Sequence, residues 1–308
     1  MHIHLIAPAS APANPEKLQA GRDRLEARGH QVTTSRAFEA DGTYTCGSDA
    51  TRVQELNEAF QSGADVLLCV RGGTGCLRIL PELDYAAAKV HRPLVCGYSD
   101  ITALQFALLA QAGVPSLSGP MAAVEWGDLA DVLADEFELL LQPGYVQRDI
   151  KLPATIEQDQ NSLPNGKLQT LQRGGSTGPL IGGNLSLIAA LVGTPYMPDL
   201  TGAILFLEDL NEPPYRIDGY LASLRLSGIL SSLGGLVYGG FTEFETPENS
   251  YSMDEVLAHY AQFVDGPVVS GLAYGHFPIK NAIPIGIEAT LQAEPIGAVL
   301  SMNTSLRP

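Results

Sequence analysis

Three short passages of this chain place reactive side chains where a hydrophobic run gives way to a turn, the position at which open parallel sheets collect their ligands. In Val95-Cys96-Gly97-Tyr98-Ser99-Asp100-Ile101 a strand-like run ends and a helix-forming run begins, with Ser99 at the corner. A helix N-terminus there offers free N–H groups and the positive end of a dipole, both suited to a developing oxyanion. The passage lacks the second glycine of a Gly-x-Ser-x-Gly elbow. A capping role for Ser99 or Asp100 accounts for the same corner.

The second passage, Val70-Arg71-Gly72-Gly73-Thr74-Gly75, also follows a strand-like run. Adjacent glycines let a backbone approach a ligand closely and leave N–H groups outward, as in an anion-binding nest. The spacing matches neither Gly-x-Gly-x-x-Gly nor a P-loop, so the loop reads as a structural turn or as an oxyanion or substrate loop. In the third passage, Phe206-Leu207-Glu208-Asp209-Leu210-Asn211-Glu212-Pro213-Pro214, a buried-looking strand ends in two carboxylates. Neighbours on a strand face opposite sides, so one of Glu208 and Asp209 is expected to face a given site. Capping of a helix at Pro214 suits Asp209 or Asn211 better than Glu208. His276, in Tyr274-Gly275-His276-Phe277-Pro278, titrates near neutrality and is able to pass a proton between a serine and a leaving amine. His2 and His4 are explained by alternation along the first strand.

The elements that must position these residues alternate between short apolar runs and amphipathic stretches, the pattern of strand-helix-strand units around a parallel sheet. Strands are expected at Ile3 to Ala7, Gln31 to Thr34, Asp65 to Val70, Pro93 to Tyr98 and Val114 to Leu117. Helices are expected at Pro15 to Arg28 before Gly29, at Asp49 to Gln61 with Val53, Leu56, Ala59 and Phe60 on one face, and at Ile101 to Ala112, apolar all round and so buried. Residues 142–175 turn polar and rich in Pro, Gly and Asn, reading as a connection between a domain of residues 1–141 and one of residues 176–308. The later domain reads as a strand at Ala203 to Leu207, a helix from Pro214 with Ile217, Tyr220, Leu221 and Leu224 as its stripe, a strand at Gly235 to Tyr238, a helix from Met253 to Phe263 and a strand at Pro267 to Leu272.

Composition narrows the function classes. The chain has 308 residues, 45% of them hydrophobic, enough for a large core. Its formal charge of -16 repels phosphate backbones and anionic bilayers, which argues against nucleic acid and membrane partners. The N-terminus shows no signal peptide, and no apolar run approaches the roughly 18 residues of a spanning helix, so a cytoplasmic location is expected. Cys46, Cys69, Cys76 and Cys96 show no Cys-x-x-Cys spacing and read as reduced packing residues.

Further ordered matches run along nearly the whole chain. They are Ile6-Ala7-Pro8, Gly47-Ser48-Asp49 with Arg52, the Arg71-Gly72-Gly73 loop, Gly97-Tyr98-Ser99-Asp100 and Gly119-Pro120-Met121 in the first half. Gly182-Gly183-Asn184-Leu185-Ser186, Gly193-Thr194-Pro195-Tyr196, Leu207-Glu208-Asp209 with Asn211-Glu212-Pro213, and Gly275-His276 follow. Together they resemble the LD-carboxypeptidase family of serine peptidases. The resemblance implies an α/β fold with a Rossmann-like parallel-sheet N-terminal domain and a smaller β-rich α+β C-terminal domain, assembled as a homodimer. It implies Ser99 as nucleophile, Glu208 as triad acid and His276 as base, with no cofactor and no metal.

The implied reaction is hydrolysis of the amide between the L-centre of a diamino acid and a terminal D-alanine in peptidoglycan tetrapeptides, on a muropeptide or the free peptide, during cell-wall recycling. The backbone N–H of Asp100 with that of Gly72 or Gly73 is expected to bind the oxyanion, and Arg71 beside the glycine loop to orient the substrate carboxylate or the loop itself. Thr74 stands where the family usually carries tyrosine, which removes an aromatic wall and keeps the backbone donors. Two alternatives stand beside this reading: a relative of the same family that cleaves a peptidyl-nucleotide antibiotic for self-immunity, and a non-catalytic Rossmann-like binding protein.

Overall fold

A computed structural model describes residues 1–39, 43–146, 149–151, 167–242 and 244–307. The chain forms two compact units, Met1–Ala134 with Pro195–Pro198, and Asp135–Thr194 with Asp199–Pro308. Of the turn-rich stretch 142–175, the pieces Gln158-Asp159-Gln160-Asn161 and Pro164-Asn165-Gly166 lie outside the described residues.

The first unit is built on strands β1 (His2–Ile6), β2 (Gln31–Thr34), β3 (Val66–Cys69), β4 (Val95–Cys96) and β5 (Ser116–Ser118), with helices α1 (Pro15–Ala27), α2 (Asp49–Phe60), α3 (Cys76–Ile79), α4 (Tyr85–His91), α5 (Ile101–Ala112) and the start of α6 (Asp131–Leu140). These strands are parallel and run in the order β5-β4-β3-β1-β2. β3 and β4 are buried along their whole length, as expected of central parallel strands covered on both faces. The chain leaves β1 for β2 on one side and returns to β3 on the other, so the loops after β1 and β3 flank a topological switch point.

Local chemistry explains the helix bounds. Asn14 caps α1 by accepting from the Glu16 N–H at 2.8 Å, Pro15 fits the first turn, and Gly29 takes a positive φ of 86° just beyond the end. Ser48 caps α2 by accepting from Thr51 at 3.1 Å. α5 is buried without a break from Ile101 to Leu108 and stops at Gly113, φ 63°, whose left-handed turn a side chain would resist. His2 and His4 share one face of β1 and both hydrogen-bond the Thr33 hydroxyl, at 2.8 and 2.9 Å. β4 is only two residues long, against the six expected, because pairing with β3 and β5 ends where the chain turns at Gly97.

The second unit contains β6 (Gln169–Gln172), β7 (Gly174–Asn184), β8 (Ile204–Leu210), β9 (Gly235–Thr242), β10 (Val268–Ser270), β11 (Ile283–Ile285), β12 (Ile287–Ala293) and β13 (Ala298–Met302), with the rest of α6, and α7 (Leu185–Leu191), α8 (Pro214–Leu226), α9 (Ile229–Ser232) and α10 (Met253–Ala261). Its sheet runs β13-β12-β7-β8-β9-β10-β6. β7, β8, β9 and β10 form a parallel core, while β12 and β13 on one side and β6 on the other are antiparallel. Part of the stretch read as a connection thus forms β6 and the start of β7. Arg173-Gly174-Gly175 looks like a turn, yet the glycines serve close approach, since a Cβ on Gly175 would lie 2.6 Å from the Gln292 side chain.

No helix among the described residues is long and apolar enough to cross a membrane.

Candidate active site

Ser99 stands between β4 and α5 with φ 66°, one of four non-glycine residues in the left-handed region among the described residues. That conformation costs a residue with a Cβ about 1–2 kcal/mol, so its surroundings must impose it. Four contacts do. The Gly97 N–H donates to Leu117 at 3.1 Å, and the Gln105 amide donates to the Gly97 and Leu117 carbonyls at 2.9 and 3.0 Å. The Tyr98 hydroxyl donates to buried Glu125 at 2.7 Å, whose other oxygen accepts from the Met121 N–H at 2.9 Å. The Ser99 carbonyl accepts from Thr102 at 2.9 Å, starting the helix.

Asp100 occupies the cap position of α5, but its side chain makes no cap bond. Its carboxylate instead accepts from the Cys76 N–H at 2.8 Å, tying the start of α5 to the start of α3. Burial raises its pKa, against the lowering effects of that bond and of Arg52. The capping expectation therefore gives way to a tertiary tie.

The Arg71–Gly75 loop is held along its length by residues after β1 and on α2. The Ser10 N–H donates to the Gly72 carbonyl at 3.2 Å; the Ser10 hydroxyl accepts from Thr74 N–H at 3.1 Å and donates to the Tyr44 carbonyl at 2.6 Å. Arg71 donates to the Ala11 carbonyl at 3.3 Å. Arg52, wholly buried, donates to Pro8 at 2.6 Å and to Gly75 at 2.9 Å and pairs with Asp49, which also binds Arg78 at 2.7 Å. Gly72 packs directly on the serine: a Cβ there would lie 2.9 Å from Ser99 Cβ and 3.1 Å from its Oγ. Gly73, φ 108°, approaches Ser10 so closely that a Cβ would sit 2.3 Å from its hydroxyl oxygen. Arg71, Gly72, Gly73, Ser99 and Asp100 therefore belong to one packed assembly in the first unit.

The second unit brings Glu208 and His276 together. His276 Nδ1 lies 2.7 Å from Glu208 Oε2, and Glu208 is fully buried. The approach depends on β9, where the pairing with β8 slips between Leu207 and Asp209 and sets one extra β9 residue opposite β8. Gly239 and Gly240 fill that bulge. The Gly240 N–H donates to the Tyr274 carbonyl at 2.8 Å, while a Cβ on Gly239 would lie 2.5 Å from the same oxygen. Phe206 and Tyr274 meet edge to face at 5.0 Å and fix the strand preceding the histidine. Gly275, φ 146°, then turns His276 toward the carboxylate.

Burial by itself lowers the His276 pKa, but the Glu208 charge and hydrogen bond outweigh it and the net shift is upward; Lys280 opposes and Asp209 reinforces that shift. With Nδ1 facing a carboxylate, the proton sits on Nδ1 and Nε2 is the basic nitrogen. Asp209 and Asn211 do not cap α8, whose cap residue is Pro213 without a side-chain bond. Asp209 turns to the N-terminus of α7, accepting from Ser186 N–H at 2.8 Å, and burial followed by the Glu208 charge pushes its pKa to about 6.

Models of the LD-carboxypeptidase N-terminal and C-terminal domains match residues 3–119 and 177–291. The chain belongs to the LD-carboxypeptidase family. It is 32% identical over 306 residues to a probable murein peptide carboxypeptidase of Bacillus subtilis, covering 98% of this chain and 92% of that protein. The crystal structure of a muramoyltetrapeptide carboxypeptidase from Oxalobacter formigenes superposes with a TM-score of 0.83 at 30% identity, covering 98% of each chain. The microcin C7 self-immunity protein MccF of Escherichia coli is 25% identical over 302 residues, covering 92% of this chain and 88% of that protein.

The candidate residues of this chain fall into two groups, Arg71, Gly72, Gly73, Ser99 and Asp100 in the first unit and Glu208 and His276 in the second. Several supporting residues carry no signal in the sequence alone. Asn184 bonds both Glu208 and Asp209, at 3.2 and 2.9 Å, and Lys280 is buried near the histidine, donating to the Phe277 carbonyl at 3.0 Å. Asn184 closes the Gly182-Gly183-Asn184 stretch of β7, and its place opposite Glu208 in the β7–β8 register is what exposes its role. Ser10 and Glu125 act across 64 and 27 residues of sequence, and nothing local marks them. The four cysteines are free and buried; burial holds the Cys69, Cys76 and Cys96 thiols well above their ordinary pKa, the state of packing residues.

Proposed function

We propose that this chain is a serine-type LD-carboxypeptidase that hydrolyses the amide between an L-centred diamino acid and the terminal D-alanine of peptidoglycan tetrapeptides, as a cytoplasmic step of cell-wall recycling. The observation that carries the proposal is the buried Glu208–His276 hydrogen bond of 2.7 Å in a chain of this family. The strained Ser99 packed against Gly72 supports it, because a left-handed serine at a strand-helix turn is a conformation maintained at an energetic cost. The names of the murein peptide and muramoyltetrapeptide carboxypeptidases it resembles support the substrate class.

In this mechanism His276 Nε2 takes the proton of Ser99 Oγ as that oxygen attacks the scissile carbonyl. Glu208 holds the Nδ1 proton and stabilises the imidazolium. The N–H groups of Asp100 and of Gly72 or Gly73 receive the oxyanion. The imidazolium then protonates the leaving amine of D-alanine, and water, deprotonated by the same imidazole, releases the shortened peptide from Ser99. Arg71 orients the glycine loop through the Ala11 carbonyl, or meets the peptide carboxylate.

The test is incubation of the purified protein with free tetrapeptide or its disaccharide form, with release of D-alanine followed by mass spectrometry and Ser99→Ala as control. Release by wild type alone supports the proposal. An intact tetrapeptide beside a cleaved aminoacyl nucleotide selects the antibiotic reading, and equal behaviour of wild type and Ser99→Ala selects a binding protein.

A further inference from the structure

Glu208 has a second carboxylate beside it for which the proposed reaction has no role. Asp209 is 3% exposed, and all its contacts are with donors: Oδ1 accepts from the Asn184 amide and the Leu210 N–H, each at 2.9 Å, and Oδ2 from the Ser186 N–H at 2.8 Å. These three donors favour the ionised form of Asp209, while burial and the neighbouring Glu208 charge oppose it. The Asn184 amide group spans both carboxylates, reaching Glu208 Oε1 at 3.2 Å, and its carbonyl accepts from the Ser186 hydroxyl at 2.6 Å. Asn184 is therefore fixed in one orientation, with its donors on the acid pair and its acceptor on α7. Glu208 Oε1 is occupied by that donor, which leaves Oε2 for His276.

Among the charges acting on His276 are Glu208 and Asp209 from β8 and Lys280 from the loop that follows the histidine. Lys280 is 7% exposed, so its charge is poorly screened. Lys280 disfavours a charged His276, and the negative charge of Asp209 acts in the opposite direction, adding to that of Glu208. Taking this site as the base of the proposed reaction, we infer that Asp209 is a positioning residue: through Asn184 it fixes the orientation of Glu208, and its negative charge offsets Lys280 so that His276 is able to accept a proton. Charge and geometry make separate predictions, so the role is distinguishable from packing.

The experiment follows the imidazole C–H resonances of His276 by NMR against pH in the folded, substrate-free protein. It compares wild type with Asp209→Asn, Lys280→Met and the double variant. The midpoint of His276 moves to lower pH in Asp209→Asn, to higher pH in Lys280→Met, and returns toward wild type in the double variant. In parallel, the acid limb of kcat/KM on tetrapeptide moves to lower pH in Asp209→Asn while the plateau falls roughly threefold to tenfold, as expected of a weaker base. An unchanged His276 midpoint in folded Asp209→Asn overturns the inference, as does a double variant that stays with Asp209→Asn. If Asp209→Asn does not fold, Lys280→Met decides alone, and an unmoved midpoint there overturns it. The NMR comparison needs no turnover, so a wild type inactive on tetrapeptide would sink the proposed function while the titrations still judge the role of Asp209.

Discussion

Replacement of Gly72 by alanine tests whether the glycine loop and Ser99 form one catalytic surface. The added methyl group would lie 2.9 Å from Ser99 Cβ, 3.1 Å from its Oγ and 3.2 Å from the Tyr98 carbonyl oxygen. Carbon atoms in comfortable contact stand about 3.5–4.0 Å apart, so loop or serine must move by roughly 0.5–1 Å. Neither moves freely. The loop is tied through Ser10 and Arg52, and Ser99 is held by the bonds on Gly97, Tyr98 and its own carbonyl. Overpacking of this kind costs about 1–3 kcal/mol of stability, and a displacement on the order of 1 Å at the reacting atom costs about a hundredfold in rate. Urea unfolding and kcat/KM for D-alanine release, measured on Gly72→Ala and on Gly29→Ala, provide the assay. Gly29 also has a constrained backbone, φ 86°, but its Cβ would meet nothing within 4 Å, so that variant loses about 1 kcal/mol of stability and no activity. A Gly72→Ala enzyme with wild-type kcat/KM would refute the reasoning, because the methyl group could then be accommodated without disturbing Ser99.

Three other outcomes follow from the same geometry. Ser99→Gly and Ser99→Ala both abolish cleavage, but the glycine variant is more stable than the alanine variant by about 1 kcal/mol in urea unfolding, since only glycine takes φ 66° without a Cβ penalty. Glu208→Gln presents an amide to His276 Nδ1 and disturbs the tautomer, lowering kcat by roughly a thousandfold or more while KM changes little; steady-state kinetics read this directly. Asp209 has its pKa raised to about 6 by burial and by Glu208, so its share of stability is present below the unfolded value of 3.8 and is lost as pH rises through about 6. The unfolding free energy of wild type relative to Asp209→Asn should therefore fall by on the order of 2–3 kcal/mol between pH 4 and pH 7, and parallel pH curves for the two proteins would contradict the shift.

Local chemistry made much of the frame legible. Asn14-Pro15 and Gly29 bracket α1, and the unbroken apolar run from Ile101 marks α5 as buried, because caps and periodicity act within a few residues. The strand-helix corner at Ser99 was visible for the same reason, although the spacing alone did not separate a nucleophile from a cap. β6 lies in a polar stretch and the start of β7 carries Gly174 and Gly175, which read as a turn, since what stabilises both is pairing with β10 and β12 about 100 residues later. The β9 bulge that admits Tyr274 depends on a register slip between strands, and no window of sequence encodes a register. The Asn184 bridge, the Ser10 clamp and the Asp100 tie to Cys76 each join residues at least 24 positions apart, so their chemistry emerges only once the sheets are assembled.

The central claim is that Ser99 is made nucleophilic by the Glu208–His276 pair. A serine-reactive phosphonate followed by peptide mapping measures this most directly, on wild type and on His276→Ala at pH 8. The account predicts an adduct on the peptide carrying Ser99 in wild type, protection by tetrapeptide, and at least a hundredfold slower labelling in His276→Ala, on the scale of general-base catalysis. Labelling of Ser99 at equal rates in both proteins, or an unlabelled Ser99 in a preparation that cleaves tetrapeptide, would contradict it.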